Sequence, residues 1–187
     1  MKTILTLIIF VISFSTFSQL GIKAGFAIVK PVNNYTSGPY LGFNAGLTYE
    51  WNDRFRGEVL FERMYQKDEI TFTTIEQNQE SLQVDTLTAH HNIIPITLGL
   101  DYRILTGMLQ PYVGLNIGMM TLGTKVKSKR YNNQFFTLHP KVGLNIDLTE
   151  NFKLDLAIKH HIIFNQKNNG ISNNQIFGAN LGVNYNF

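Results

Sequence analysis

Residues Ile176 to Phe187 read IFGANLGVNYNF, with Phe177, Ala179, Leu181, Val183, Tyr185 and Phe187 on one parity and Gly178, Asn180, Gly182, Asn184 and Asn186 on the other. A strand turns successive side chains to opposite faces, so this pattern predicts one apolar wall and one wall of glycine and amide. An apolar wall that ends on an exposed aromatic ring fits a strand facing lipid, with the last ring at the headgroup level.

The same alternation recurs along the chain, and no segment after Gln19 carries a helical period. A first strand is predicted from Leu20 to Val29, with Lys23, Gly25 and Ala27 inward, followed by a loop from Lys30 to Pro39. A second, Tyr40 to Trp51, sets Leu41, Phe43, Ala45, Leu47 and Tyr49 against Gly42, Asn44, Gly46, Thr48 and Glu50, before a tight turn at Asn52 to Arg54. The third starts at Phe55, with Arg56, Glu58, Leu60 and Glu62 inward. Arg63 reads as a break in parity, a bulge or the upper membrane boundary. The connection Asp68 to Thr88 has two β-branched arms, ITFTTIE and SLQVDTL, so the hairpin is expected to continue beyond the membrane as a ribbon.

Strand four is predicted over His91 to Ile104. Pro95 removes a ladder donor there and is expected to make a local bulge or leave a carbonyl to water. After a turn at Thr106-Gly107 come strand five, Pro111 to Gly123, a loop from Thr124 to Gln134, and strand six, Phe135 to Leu148. A turn at Thr149 to Asn151, strand seven over Phe152 to Ile162, a loop from Asn165 to Gln175 and the closing strand complete the chain. The connections alternate long and short. An even number of strands with phased loops predicts an all-β fold: an eight-stranded antiparallel up-and-down transmembrane β-barrel with short periplasmic turns and longer extracellular loops. Each strand reaches the roughly 9 to 11 residues needed to cross at a tilt.

The segments LGIKAGF, IPITLGLDY, PYVGLNIG and GVNYNF resemble the outer membrane protein beta-barrel domain family, often labelled PorT-like. The resemblance spans the mature chain and implies an outer-membrane location, with no catalytic residue carried over. The terminal Phe187 also resembles the signal read by the outer-membrane barrel assembly machinery, which makes that machinery an expected partner during biogenesis.

Lys2, the apolar run Ile4 to Phe14 and the small residues Thr16 and Ser18 predict a signal peptide over residues 1–18, leaving residues 19–187 as one barrel domain. The run is shorter than the roughly 20 apolar residues of a spanning helix. With no cysteine in 187 residues there is no thiolate metal site and no disulfide. A net charge of +3 with scattered basic residues argues against nucleic acid. A mean hydropathy of -0.04 suits a barrel in which half of each strand faces a polar interior.

By parity the interior carries Lys23, Arg56, Arg103, Lys141, Lys153 and Lys159 against Glu50, Glu58, Glu62, Asp101, Asp147 and Asp155. Charges removed from water must be paired, and an eight-stranded lumen is just wide enough for side chains to fill. The expected function is therefore an integral outer-membrane barrel with a filled lumen, structural or acting through its extracellular loops. The alternatives are a narrow porin-like channel, a lipid A-modifying barrel enzyme, and a soluble lipocalin-type barrel with its faces reversed.

Catalysis would have to use His90, His91, His139, His160 or His161. No His-x-Ser pair follows any of them, and no amphipathic helix precedes the first strand. Adjacent residues on a strand point to opposite faces, so His90-His91 and His160-His161 cannot chelate one ion together, and a metal would need partners from neighbouring strands. No catalytic, cofactor-binding or metal residue is therefore assigned, and no cofactor is expected. Outer-membrane lipid, lipopolysaccharide and an envelope protein are the expected partners. Lipopolysaccharide phosphates, or the acidic ribbon of Asp68, Glu69, Glu76, Glu80 and Asp85, are what the basic run Lys125, Lys127, Lys129 and Arg130 would meet.

Overall fold

The computed structural model describes residues 19–32, 38–75, 82–164 and 175–187. The expected leader, residues 1–18, lies outside them, as do parts of three expected outer loops. Eight strands follow in chain order: β1 (Gln19–Pro31), β2 (Tyr40–Glu50), β3 (Phe55–Ile75), β4 (Leu82–Arg103), β5 (Leu109–Val126), β6 (Lys129–Asp147), β7 (Phe152–Ile163) and β8 (Gln175–Asn186). Each pairs antiparallel with its chain neighbour, and β8 pairs with β1 to close the barrel.

A path of paired residues from Gln19 through Glu50, Arg56, Asp101, Gly114, Lys141, Lys159 and Gly178 returns to β1 at Val29. The ten-residue offset between Gln19 and Val29 is the stagger of the barrel. Over eight strands it sets a tilt of about 40°. The stagger decides which lumenal side chains meet, since residues level across the barrel are far apart in sequence.

Alternation sorts the side chains as the pattern predicts. Phe26, Leu41, Leu98 and Ile158 point outward and are 60% or more exposed, while Arg56, Asp101, Glu62 and Met64 point inward and are fully buried. An exposed apolar wall around the whole circumference belongs in lipid. At the short-turn end an aromatic belt marks the interface: Tyr49 packs edge-on against Trp51, Phe55 against Tyr102, and Tyr185 against both Phe152 and Phe187. Trp51 lies across Gly57, where a Cβ would stand 2.7 Å from the indole. At the closing seam Gly25 faces Gly182, and a Cβ on Gly25 would come 2.5 Å from the Gly182 Cα. Both faces of this contact are bare backbone, so the first and last strands can coil together tightly.

Two expected bulges and one expected loop are corrected. Arg63 keeps its outward parity, with Met64, Gln66 and Asp68 continuing the inward series, and β2 and β3 pair without a slip through Phe43↔Arg63. Pro95 makes no bulge: the register between β3 and β4 is the same at Phe61↔Ile96 and Met64↔Ile93, and β4 and β5 pair straight through Pro95↔Met120. The missing donor costs only a gap in the ladder, because the flanking strands hold the register on both sides. The basic segment Thr124 to Gln134 is not an open loop. β5 and β6 stay paired to Val126↔Lys129 around the two-residue turn Lys127-Ser128, with Lys127 at φ 52°. A left-handed residue in a two-residue loop matches the twist of the flanking strands. The ribbon expected beyond the membrane is present: β3 and β4 stay paired to Ile75↔Leu82, well past the end of β2.

Candidate functional site in the barrel interior

The lumen is filled in layers, which are built by successive inward residues of the same strands. β3 alone contributes Arg56, Glu58, Leu60, Glu62, Met64, Gln66 and Asp68, rising about 3.3 Å per residue along the strand.

At the periplasmic mouth Glu50 holds two cations. Arg103 grips it with both terminal nitrogens, at 2.5 and 3.1 Å, and Lys153 Nζ lies 3.0 Å from the same carboxylate. These groups line a polar vestibule with Asn52, Asp53 and Gln110. Asp147, expected to balance a cation, is half-buried there and accepts a hydrogen bond from Gln110 Nε2 at 2.8 Å instead.

The middle layer is one continuous network. Arg56 donates to Asp101 at 2.7 and 3.1 Å, to Asp155 at 3.1 Å and to Asn145 at 3.1 Å. Lys23 bridges Asp155 at 2.7 Å and Glu58 at 3.4 Å, while Lys141 bridges Glu58 at 2.5 Å and Asp101 at 2.8 Å. Tyr112 donates its hydroxyl to Asp155 at 2.7 Å, and its ring sits 5.0 Å beneath the Arg56 guanidinium. Three cations and three carboxylates from β1, β3, β4, β6 and β7 thus neutralise one another with no side chain more than 8% exposed.

Above this network, Glu62 pairs with Lys159 and accepts from Asn180 at 3.0 Å. Beside it His139 Nε2 lies 3.0 Å from His161 Nδ1 and 2.8 Å from Thr137 Oγ1, and the Thr137 hydroxyl donates to the Ile162 carbonyl at 3.1 Å. A hydroxyl within reach of an imidazole is the elementary pair of nucleophilic catalysis. Here both groups are at most 1% exposed and the hydroxyl proton is committed to backbone, so the pair as it stands offers no path to a substrate. Glu62, His139 and His161 also bring one metal-ligating atom each within 4.8 Å of the others. The parity of these residues was readable in the sequence, but their meeting was not assigned. His139 and His161 lie at equal sequence distance from Glu150 in the β6–β7 turn, which is the signal that would have paired them.

The layer above is apolar. Val29, Tyr40, Met64, Ile93, Met120, Phe135, Ile163 and Ile176 form a buried cluster that caps the polar network. Near the rim His91 Nδ1 lies 3.1 Å from Thr124 Oγ1, and its Nε2 lies 3.7 Å from Asp68. His90 instead stacks on Tyr65, and His160 stacks on Phe177 at 4.4 Å, so each adjacent pair does split between faces.

Residues 7–187 match the outer membrane protein beta-barrel domain family. The chain belongs to that family. It is an outer-membrane protein, and its barrel is of a kind seen in solved structures. Neisserial surface protein A shares 16% identity at a TM-score of 0.68, with 90% of this chain and 97% of that one covered. Ail of Yersinia pestis, in complex with the heparin analogue sucrose octasulfate, shares 18% identity at 0.58, covering 91% and 97%. OprG from Pseudomonas aeruginosa shares 16% at 0.55, covering 91% and 96%. At these identities the likeness is one of fold. No curated protein matches the chain.

Proposed function

We propose that this barrel is a closed, non-catalytic platform in the outer membrane, acting through the ribbons it raises above the extracellular surface. The observation that carries the reading is the stacking, among the described residues, of a neutralised ion-pair network beneath an apolar cap, which argues against a continuous polar path through the lumen. Among the described residues the β3–β4 ribbon stands highest. The β5–β6 hairpin rises beside it, because β4 and β5 pair up to Ala89↔Val126. Its exposed tip carries Lys125, Lys127, Lys129 and Arg130, a cluster suited to polyanionic sugars or lipopolysaccharide phosphates. The related fold of Ail has been captured with a polysulfated sugar, which supports looking for an anionic partner at the loops here.

Planar bilayers test the closed lumen, and the expected result is no stable open conductance from purified protein. Reproducible porin-like steps would overturn the reading in favour of a narrow channel. Pull-down from native outer membranes, with and without the β3–β4 ribbon, tests the platform. Loss of all specific partners on ribbon deletion is the expected result.

A further inference from the structure

We propose that Glu62, His139 and His161 form a buried site for a zinc-class divalent cation, which would tie β3, β6 and β7 together across the lumen. The sequence alone assigned no metal ligand, because the adjacent histidine pairs point apart. The fold supplies what that argument said was needed: partners from neighbouring strands.

The geometry fits the ion. One ligand atom from each residue lies within 4.8 Å of the others, and all three residues are at most 1% exposed. The two imidazole nitrogens are 3.0 Å apart. Two nitrogens bound to one tetrahedral zinc at about 2.05 Å are separated by about 3.3 Å, so the nitrogens need part by only a few tenths of an ångström, while both rings turn to aim their lone pairs at the ion and the Glu62 carboxylate closes in on it. Two imidazole and one carboxylate ligand make a donor set that zinc accepts, with the fourth position left to water or to a nearby oxygen such as Thr137 Oγ1.

A second observation points the same way. Glu62 Oε2 is buried with no hydrogen-bond partner, although its other oxygen is fully used by Lys159 and Asn180. A carboxylate oxygen withdrawn from water without a donor is costly, and a bound cation is the partner that removes the cost. In the metal-free arrangement a single proton must be shared between His139 Nε2 and His161 Nδ1, and His139 Nε2–H also lies in reach to donate to Thr137 Oγ1. A cation would take the place of that proton, leaving His139 to carry its proton on Nδ1 and His161 on Nε2.

Lys159 is the antagonist of this site. Its ammonium holds Glu62 and repels a second positive charge in the same dry layer. The site is therefore tuned against weak or hard cations, which cannot displace an ion pair, and favours an ion with strong affinity for imidazole. Removing the ammonium while keeping the stem should release that restraint.

The test uses protein folded into detergent micelles from urea with Zn²⁺ or Co²⁺ present, since the apolar cap hinders entry afterwards. Folding is verified for every variant by heat-modifiable migration on gels. Wild type is expected to retain one equivalent of metal after dialysis, and its Co²⁺ form to show the intense visible bands of tetrahedral coordination. His139→Gln and His161→Gln should each weaken binding at least about tenfold, as loss of a ligand exceeds the 10- to 100-fold effect of supporting groups. Lys159→Met should strengthen it by at least about tenfold, a gain that a merely structural role for these histidines would not produce. Folded wild type that keeps no stoichiometric metal overturns the proposal. So does metal that survives His161→Gln, or metal that is lost in His90→Gln, which would place the ion at the rim.

Discussion

Replacing Arg56 with methionine keeps an unbranched stem and deletes the guanidinium, the hub of the lumenal network. Four hydrogen bonds are lost, two to Asp101, one to Asp155 and one to Asn145. Removing one partner of a buried ion pair costs about 3–5 kcal/mol when the other charge is stranded. Here the stranding is incomplete, because Asp101 keeps Lys141 at 2.8 Å and Asp155 keeps Lys23 and Tyr112 at 2.7 Å. The expected loss is therefore near the lower bound, about 3 kcal/mol. Urea unfolding from lipid vesicles measures it, with the single tryptophan, Trp51, as reporter at the membrane interface. The double variant Arg56→Met/Asp101→Leu is expected to lie about 1–2 kcal/mol above the single one, since it removes the uncompensated charge. A single-variant loss below about 1 kcal/mol, the range of solvent-exposed pairs, would mean that water reaches Asp101 and Asp155. The lumen would then be wet, and the closed-platform reading would fail with it.

Deleting Phe187, whose ring packs on Tyr185 and whose N–H bonds to the Leu20 carbonyl, is expected to cost at most about 1.5–3 kcal/mol in detergent. Its yield in the outer membrane should fall far more, and equal inserted yields would remove the assembly-signal argument. Lys127→Gly should stabilise the barrel by about 0.5 kcal/mol, as relief of the left-handed backbone exceeds the added freedom of the unfolded chain. A destabilised variant in thermal unfolding would mean that the Lys127 side chain holds the tip. Neutralising Lys125, Lys127, Lys129 and Arg130 together should speed proteolysis of the β3–β4 ribbon or reduce co-purifying lipopolysaccharide. If neither changes at low salt, where exposed charges are least screened, the hairpin is only a solvated cap. Asp101→Leu/Arg103→Leu should shift the protein from outer-membrane to inner-membrane fractions on a density gradient, and an unchanged distribution refutes the export argument below.

The faces of the strands were legible because lipid and lumen impose opposite demands at a period of two, and among the described residues no helix competes with that period. Loop phasing was legible for a related reason: Asn52 to Arg54, Thr106-Gly107 and Thr149 to Asn151 carry turn residues at the end where strands must reverse quickly. The Lys127-Ser128 turn was not, because it lacks the Asn-Gly or Asp-Gly pair that announces a two-residue hairpin, and its four basic residues read as solvated loop. Pro95 and Arg63 misled for a shared reason. Each is a local anomaly in one strand, whereas register is fixed by both neighbours at once. The inward charges were readable except Asp68, which the sequence placed in the outer ribbon and the structure buries, but their partners were not: Lys23 meets Asp155, 132 residues away, only because the barrel closes with its particular stagger. The same holds for Glu62, which joins two histidines from strands three and four places further on.

A lumen filled with ion pairs is a poor way to gain stability, since well-packed apolar side chains of the same volume serve as well or better. What the charges supply is visible before folding. Between His91 and Lys125 the only charged residues are Asp101 and Arg103. Without them the segment would read IIPITLG through MMTLGT as one uncharged, largely apolar stretch, longer than the roughly 20 residues that suffice to span a bilayer as a helix. An outer-membrane chain has to cross the inner membrane unfolded, and such a stretch would be held there. On an insertion scale each central Asp or Arg opposes that outcome by about 2.5–3.5 kcal/mol. Once the strands pair, the same two residues point inward and find Arg56, Lys141 and Glu50. The period of two thus lets one sequence be too polar to stop in the first membrane and apolar enough, on its outer wall, to remain in the second. The charges that oppose arrest in the first are the ones that pair inside the lumen in the second.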